Sequence, residues 1–564
     1  MPVIGIDVGG TNTDAALLQG REVVALAKRP TRRGELFSSI QDVLEEVLSS
    51  YRGSDQIELH LSTTLSTNAI IEGTGLPTEV AAVPGPGVNL SSLGYDFPIH
   101  ELNGYIDHRG RETAPLDFEQ IRQVKAVLKK NECRALAVVG KFSQRNPKHE
   151  KEIERRLRTD PEMEISLGHA LSGRANFPRR LVTAYLNASV ARRQKDFARI
   201  WKDSSSKLGR FKKILFLKAD GGTMTLQDSQ NRPVETILSG PAASIMGAQA
   251  LSSLEMKNLV MIDIGGTTTD IAVVVGGKPL FERAGAVISG YKTLVPALLT
   301  RSLGLGGDSA VKYLKEQRRF QLGPKRAGAA VCLGGEQLTP TDAAVALGLA
   351  QLGKKDAALK ACRELGLKLD LQWREVAQGI MDAFSRQLTE AIRGLYAELE
   401  NIPLYTVSEI LDPPSIKPEA LLGLGAPAEV FAPLAAQKLN LAFEIAACSA
   451  GANAVGAAAA RATAGLTLYA DTELGTVTVP EIGYCRELKR PLFFNLERAR
   501  QSAKRKTREY ARNLGLEQTD DIYIPEEESF NLVRGFRTVG QIHMVRTQLR
   551  PQVRKIGGAA GEKN

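Results

Sequence analysis

The sequence predicts an α/β protein built from two similar lobes, followed by a smaller α+β region. Three observations carry this. The 564 residues exceed what one ordinary core uses, so two to four units are expected. The opening stretch IGIDVGGTNTD (Ile4 to Asp14) returns as MIDIGGTTTD (Met261 to Asp270), and the two octets from Asp to Asp agree at six of eight positions. Strand-like and helix-like patterns alternate along both halves, as in sheets covered by helices.

The first segment, 1–212, begins with three strand-like runs, VIGIDVGG, TDAALLQG and EVVALAKRP. Residues 36–48 (LFSSIQDVLEEVL) place apolar side chains at 36, 37, 40, 43, 44, 47 and 48, a helical period. IELHLSTTLSTNAIIEG reads as a strand running through a polar loop into a helix, and TEVAAVPGPG follows it. An amphipathic helix over Phe118–Lys130 precedes the buried strand CRALAVVGKF, and RRLVTAYLNASVARRQKDFARIWKD is a long helix suited to joining two halves. The second segment, 213–466, restarts with KILFLKADGGTMTL and NLVMIDIGGTTTDIAVVVGGKPLF. It ends with ALLGLGAPAEVFAPLAAQKLNL and the Ala-rich run 441–460. That run carries Glu444 and Asn453 and so reads as a closely packed buried helix, not a membrane span. The third segment, 467–564, sets TVTVPEIGY, DIYIP and TVGQIHMVRTQL around a basic helix, with GGAAGEKN expected to be disordered. The repeat is therefore domain-sized.

Hydrophobic content of 43% and charged content of 24% are those of a soluble globular protein. Many of the 52 glycines sit in Gly-Gly turns, where backbone can approach a ligand. The five cysteines (133, 332, 362, 448 and 485) are odd in number and lack CxxC or Cys/His spacing. Neither a disulfide framework nor a zinc site is expected, and reduced thiols suit the cytoplasm. The chain enters a strand at once, without a basic n-region, an apolar h-region or a cleavage site. The net charge of +10 concentrates in residues 486–512, where ten Lys/Arg face Glu487, Glu497 and Glu509. This reads first as a solvated basic helix, then as a docking face for an acidic partner. A nucleic-acid surface would interleave aromatic residues, and Phe493 and Phe494 lie in an apolar run that reads as core.

Each D-x-G-G-T-x-T-D follows an apolar strand whose end delivers a carboxylate. Two glycines then turn sharply, so that backbone N–H groups can point at an anion. The hydroxyls of Thr11, Thr13, Thr267 and Thr269 can donate to phosphate oxygens. A carboxylate so near phosphate needs an intervening cation, so Asp7 and Asp263 suit Mg²⁺, directly or through its waters. Strands resume after each turn, making a phosphate-cradling hairpin; GxxxxGK[ST] and a strand–helix GxGxxG are both absent. One copy could be an ordinary hairpin turn. Two facing copies would grip a polyphosphate from both sides.

The pair resembles the two phosphate-binding motifs of the actin, sugar-kinase and heat-shock ATPase superfamily, whose lobes are a duplicated ribonuclease H-like fold. The rest of the chain resembles the hydantoinase A/5-oxoprolinase family. STTLSTNAI (Ser62 to Ile70) is similar to that family's HGTT-x-x-TNA. KADGGTM and RPVETILSGPAASIMGA (Arg232 to Ala248) are similar to its S-D-G-G and SGPAAG-x-x-GA segments. SLGLGGDSAV (Ser302 to Val311), LGPKRAGAAVCLGGEQLTPTDAAVALG and GLGAPAEVFAPLAAQKLN follow in the family's order. The chain departs from the pattern at three places. His60 lies one position upstream of the family's His and reads first as a core-facing strand residue. Asp308 stands where a third Gly is usual, as a metal ligand, a partner for a cation or the cap of a helix from Ser309. The Cys332 region lacks PGP.

The resemblance implies an actin-like ATPase fold and an ATP-dependent attack on a cyclic amide such as a hydantoin, 5-oxoproline or related lactam. Phosphorylation of the carbonyl oxygen precedes ring opening, which needs a B-type partner subunit. It implies ATP and Mg²⁺ as cofactors, no nucleic acid and no membrane. Gly9, Gly10, Thr11, Thr13, Gly265, Gly266, Thr267, Thr269, Gly306 and Gly307 would cradle phosphates, and Gly423, Gly425 and Ala426 would turn beside adenosine. Asp7 and Asp263 would hold Mg²⁺ and act in catalysis with Thr64 and Asn68. Gly221, Gly222, Ser239, Gly240 and Pro241 would line the substrate cleft. Asp14 and Asp270 fit either structural bonding in the turn or catalysis. Phosphoryl transfer needs positioning and charge neutralisation, so no Ser-His-Asp triad is expected. The alternatives are a small-alcohol kinase of the same fold, a non-catalytic ATPase that activates a partner, and the carbonyl-phosphorylating subunit of a ketone carboxylase. The five scattered cysteines do not suit an iron–sulfur activator.

Overall fold

The computed structural model describes residues 1–10, 12–32, 35–53, 55–63, 65–158, 160–208, 211–254, 258–401, 416–514, 516 and 519–557. Thr11, Thr64 and residues 558–564 of the C-terminal GGAAGEKN lie outside the described residues.

The first sheet runs β6-β5-β4-β1-β2-β3, with β1 Val3–Val8, β2 Asn12–Gln19, β3 Glu22–Pro30, β4 Ile57–Thr63, β5 Phe211–Leu217 and β6 Thr223–Thr225. β1, β4 and β5 are parallel, and β1 to β3 form an antiparallel meander. Every residue of β1 is buried, because helices cover both of its faces, and its apolar run is accordingly unbroken. On one face Ile4, Ile6 and Val8 meet Ile40, Val43, Leu44 and Val47 of the helix Leu36–Ser49, which matches the sequence period. The strand β5 straddles residues 212 and 213 and joins this sheet through β4. Helix α1 (Leu65–Ile71) follows β4. A four-stranded accessory sheet (Thr78–Val83, Ile99–Glu101, Ala135–Gly140, Glu164–Leu167) lies against the long helix α2 (Phe177–Leu208). The helix Phe118–Lys130 forms as its sequence predicts, capped by the Asp117 carboxylate.

The second lobe repeats the first. β7 (Leu259–Ile264) and β8 (Thr269–Val275) form the hairpin, β9 (Thr300–Leu303) pairs with β8, and β10 (Ala420–Leu424) and β11 (Ala442–Ile445) add in parallel. Between the lobes lie helices α3 (Ser239–Leu251) and α4 (Ala452–Ala459). α3 packs on the second sheet through Ala242, Ala243, Ile245 and Met246, and α4 on the first through Ala454, Val455, Ala458 and Ala459. A Cβ at Gly5 would lie 2.1 Å from the Ala454 carbonyl oxygen, so β1 admits the helix backbone only because it carries glycine there.

Three readings of the sequence are corrected. Residues 441–460 are not one helix: Ala442–Ile445 pair with β10, Cys448 takes a left-handed conformation (φ 54°), and the helix begins only at Ala452. No helix starts at Ser309, since Ser309–Leu314 is a strand paired with Arg319–Arg326. The basic helix α5 (Leu496–Asn513) starts well after residue 486, capped by the Asn495 side chain, and Phe493 is exposed while Phe494 alone packs inward.

α5 covers the antiparallel sheet β14-β13-β12-β16-β15, made of β12 Gly465–Asp471, β13 Thr476–Val479, β14 Tyr484–Glu487, β15 Ile522–Arg534 and β16 Arg537–Leu549. Buried Arg109 ties this region to the first lobe. Its guanidinium donates to both Asp471 carboxylate oxygens (2.8 and 2.9 Å) and to Glu473 (2.7 Å), the bidentate geometry in which a partly buried ion pair is strongest. No helix among the described residues is long and apolar enough to cross a membrane.

Candidate functional site

The two motifs form the same hairpin. Asp7 lies opposite Asp14 and Val8 opposite Thr13 in the first; Asp263 lies opposite Asp270 and Ile264 opposite Thr269 in the second. Each turn is closed by the same bond, Gly9 N–H to Asn12 O (3.0 Å) and Gly265 N–H to Thr268 O (2.9 Å). A Cβ at Gly10 would meet nothing within 4 Å, so this turn faces open space. Of the predicted hydroxyls, Thr13 and Thr269 are buried behind the turns. Thr13 bonds Thr31, whose hydroxyl stands 2.9 Å from the Gly9 carbonyl, and Thr269 donates to the Leu305 carbonyl (2.7 Å). Thr267 is exposed and free to meet a ligand.

The structure brings Asp7 and Asp263 together through two side chains that sequence reasoning missed. Ser244 Oγ donates to Asp263 Oδ2 (2.6 Å) and stands 2.8 Å from Asn453 Oδ1; Asn453 Nδ2 donates to Asp7 Oδ2 (3.2 Å). One relay therefore crosses from lobe to lobe. Its signals were present but faint: Asn453 is the one polar residue of α4, and Ser244 replaces the second Gly of SGPAAG. Lys28 had no signal at all. From β3 it reaches Asp14 (3.0 Å) and the Ala450 carbonyl (3.1 Å).

All four motif aspartates hold their protons above the ordinary carboxylate range. Burial pushes Asp7 up to about 6 against the nearby Ser62 and Asn453 donors, with Asp14 and Asp263 adding repulsion. Burial likewise lifts Asp270 to about 6 despite its bond from Ser302, and raises Asp263 and Asp14 despite Lys28. Asp7 Oδ1 is buried with no hydrogen-bond partner. Because the folded values exceed the unfolded ones, the stability that Asp7 and Asp270 contribute is greatest below about pH 4 and falls as pH rises through 6. For Asp7 the shift corresponds to about 3 kcal/mol. In EDTA the melting temperature is thus expected to drop between pH 5 and 7.5, and Asp270→Asn to flatten that slope. A slope unchanged in the variant would mean Asp270 does not ionise in this burial.

The other predicted residues divide. Gly306 and Gly307 lie on the second turn, with the Gly307 and Asp308 amides donating to the Gly265 (3.0 Å) and Gly266 (2.7 Å) carbonyls and the Gly306 amide to Ser309. Their N–H groups are engaged in buttressing the turn. Asp308 pairs with Arg326 (2.8 Å). Gly425 (φ 82°) comes close enough that its Cβ would lie 3.0 Å from Asp263 Oδ1; Ala426 beside it is exposed, and Gly423 packs tightly under Ala428 and Ala432. Ser239 accepts from the Thr63 amide and donates to its carbonyl (3.3 and 3.1 Å), which sets Gly240 and Pro241 at the end of β4, one turn before Ser244. Asn68 sits on α1 beside Thr67, whose hydroxyl accepts from the Leu238 amide (3.3 Å). Gly221 and Gly222 turn against Met246, Leu298 and Thr463, in a buried network of Lys218, Asp220 and Thr463. His60 is a core residue, its Nδ1 2.8 Å from the Ala457 carbonyl. Among the described residues no group of three or more His, Cys, Asp or Glu is gathered to hold a metal.

Residues 180–465 match the sequence model of hydantoinase/oxoprolinase, and residues 3–160 that of the hydantoinase/oxoprolinase N-terminal region. The chain is 27% identical over 439 residues to caprolactamase subunit alpha of Pseudomonas jessenii, covering 70% of this chain and 63% of that one. It is 29% identical over 397 residues to the acetophenone carboxylase gamma subunit of Aromatoleum aromaticum (61% and 53%), and 32% identical over 252 residues to 5-oxoprolinase 1 of Arabidopsis thaliana (42% and 19%). The match thus spans less than two thirds of these relatives' own length. In fold it resembles the crystal structure of ATP-dependent caprolactamase from Pseudomonas jessenii (TM-score 0.74, 20% identity, 100% of this chain and 89% of that one). It also resembles nucleotide-free acetone carboxylase (TM-score 0.68, 17% identity, 98% and 87%).

Proposed function

Because the chain belongs to the hydantoinase/oxoprolinase family, we propose that it is the ATP-using subunit of a cyclic-amide hydrolase. It transfers the γ-phosphoryl group of ATP to the carbonyl oxygen of a hydantoin, 5-oxoproline or related lactam. The observation that carries this is the pair of hairpins in identical register, whose first aspartates are joined across the lobes by Ser244 and Asn453.

A lactam carbonyl is a poor electrophile because attack on its carbon destroys amide resonance. In the proposed step the carbonyl oxygen attacks the γ-phosphorus, ADP leaves, and the ring carbon becomes electrophilic. Water then adds to that carbon, and ring C–N cleavage with loss of phosphate follows on a partner subunit. The open Gly10 turn and the exposed Thr267 position the phosphates. Asp7 and Asp263 fit a divalent cation: both are carboxylates whose protonated form is favoured by desolvation, and the buried Asp7 Oδ1 has no partner. Mg²⁺ held there, directly or through water, would neutralise charge developing on the phosphoryl oxygens. Gly240 and Pro241, which Ser239 holds at the carboxyl end of β4, and Asn68 on α1 are the residues proposed to receive the carbonyl.

The test is ADP release from ATP and Mg²⁺ with a panel of hydantoins and lactams, with and without the ring-opening subunit. Release that depends on a cyclic amide is the expected result; release indifferent to the whole panel overturns it. A second reading, a ketone-phosphorylating carboxylase subunit, is favoured by the 29% identity to the acetophenone carboxylase subunit. It predicts ADP release with ketones and none with lactams.

A further inference from the structure

The C-terminal sheet ends in a part that the rest of the molecule leaves uncovered. β16 pairs with β12 only as far as Ile542 opposite Asp471, while its pairing with β15 runs on to Arg537 opposite Arg534. Beyond the sheet, residues 529–541 therefore stand as a ribbon of two strands, exposed on nearly every side chain. Such a ribbon alone is marginally stable in water. Its apolar side chains face solvent: Phe530 and Val533 are more than half exposed and Phe536 is fully so (107%).

A second apolar group adjoins it. The turn 472–475 is bonded to the ribbon by Thr472 N–H to Gln541 O (2.9 Å) and by Arg534 to Glu473 (2.6 Å). The same turn holds the next loop through Leu488 N–H to Gly475 O (2.7 Å), and that loop presents Leu492 (95% exposed) and Phe493 (66%). Exposed Lys489, Arg490 and Arg537 flank the two groups and make no ion pair among the described residues. Aromatic anchors inside a cationic rim are the composition of an interface, not of a solvated surface.

We propose that this face, the ribbon tip with the Leu492–Phe493 loop, is where the ring-opening subunit docks, presenting an apolar patch with an acidic rim. The proposal rests on the cyclic-amide reading, which requires a second protein to open the ring; the relatives are themselves named as alpha and gamma subunits. The rim chooses between occupants. A second copy of this chain would bring three unpaired cations toward three more, whereas an acidic rim is attracted and steered.

The separately purified ring-opening subunit is titrated onto the full-length chain by surface plasmon resonance at low and high salt. The double variant Phe530→Glu/Phe536→Glu should bind about 100-fold more weakly or worse. Lys489→Glu/Arg490→Glu should slow association mainly at low salt. Leu367→Glu, an exposed apolar site on the distant helix Lys355–Leu369 (86% exposed), should bind as wild type. All these side chains are exposed, so folding is not at stake. Equal binding by the Phe variant and wild type overturns the surface and leaves the cyclic-amide reading standing. Failure of wild type to bind overturns the two-subunit reading and the surface with it. Wild-type self-association lost in the Phe variant would assign the face to a second copy instead.

Discussion

Asp263→Asn is expected to lower kcat for amide-dependent ATP hydrolysis by about 10³-fold or more, equivalent to about 4 kcal/mol of transition-state stabilisation. The carboxylate stands at the meeting of three elements: Oδ2 accepts from Ser244, Oδ1 faces the Gly425 turn, and the relay continues through Asn453 to Asp7. Asparagine keeps the shape and can still accept from Ser244. It cannot supply the charge that holds a cation against phosphate. The distinguishing feature is the sign of the second readout. Burial already disfavours the Asp263 carboxylate, so the neutral amide should leave the metal-free melting temperature unchanged or higher. Activity lost with stability kept marks a functional charge; activity and stability lost together would mark a structural one.

Gly456→Ala is expected to destabilise the fold by about 2–4 kcal/mol, read as a lower denaturation midpoint. The added methyl would lie 2.0 Å from the Ala243 carbonyl oxygen and 2.5 Å from the Gly247 amide nitrogen, both of them backbone of α3. The contact is reciprocal, since a Cβ at Gly247 would lie 2.0 Å from the Ala452 carbonyl oxygen. α3 and α4 thus cross backbone on backbone, and no side chain can move aside. This crossing is also what brings Ser244 and Asn453 within reach of each other, so the variant should lose ATP hydrolysis beyond its loss of stability. Gly394→Ala is the control: a Cβ there meets nothing within 4 Å in a long helix, and the change should be neutral or stabilising by up to about 1 kcal/mol. Equal effects at both positions would refute the packing argument.

The helices Leu36–Ser49 and Phe118–Lys130 were legible because each encodes its buried face in its own period, and the two hairpins because D-x-G-G-T-x-T-D follows an apolar run twice. Ala442–Ile445 was not, since it is a strand only by pairing with β10, and its Ala-rich surroundings suit a helix equally well. Phe493 looks like Phe494 in the chain, yet only the fold decides which of two neighbours turns inward. Gly306 and Gly307 read as a phosphate cradle by resemblance; that the Gly307 and Asp308 amides bond the carbonyls of Gly265 and Gly266 was not legible.

The sequence by itself determined the duplicated hairpins, the family and the two carboxylates, because those depend on residue types at short, repeated spacing. Only the tertiary structure decided that Asp7 and Asp263 meet through Ser244 and Asn453, and that an apolar ribbon is left uncovered. Those facts depend on which distant backbones pack together, and packing at Gly456 and Gly247 is set by shape across two hundred residues of chain.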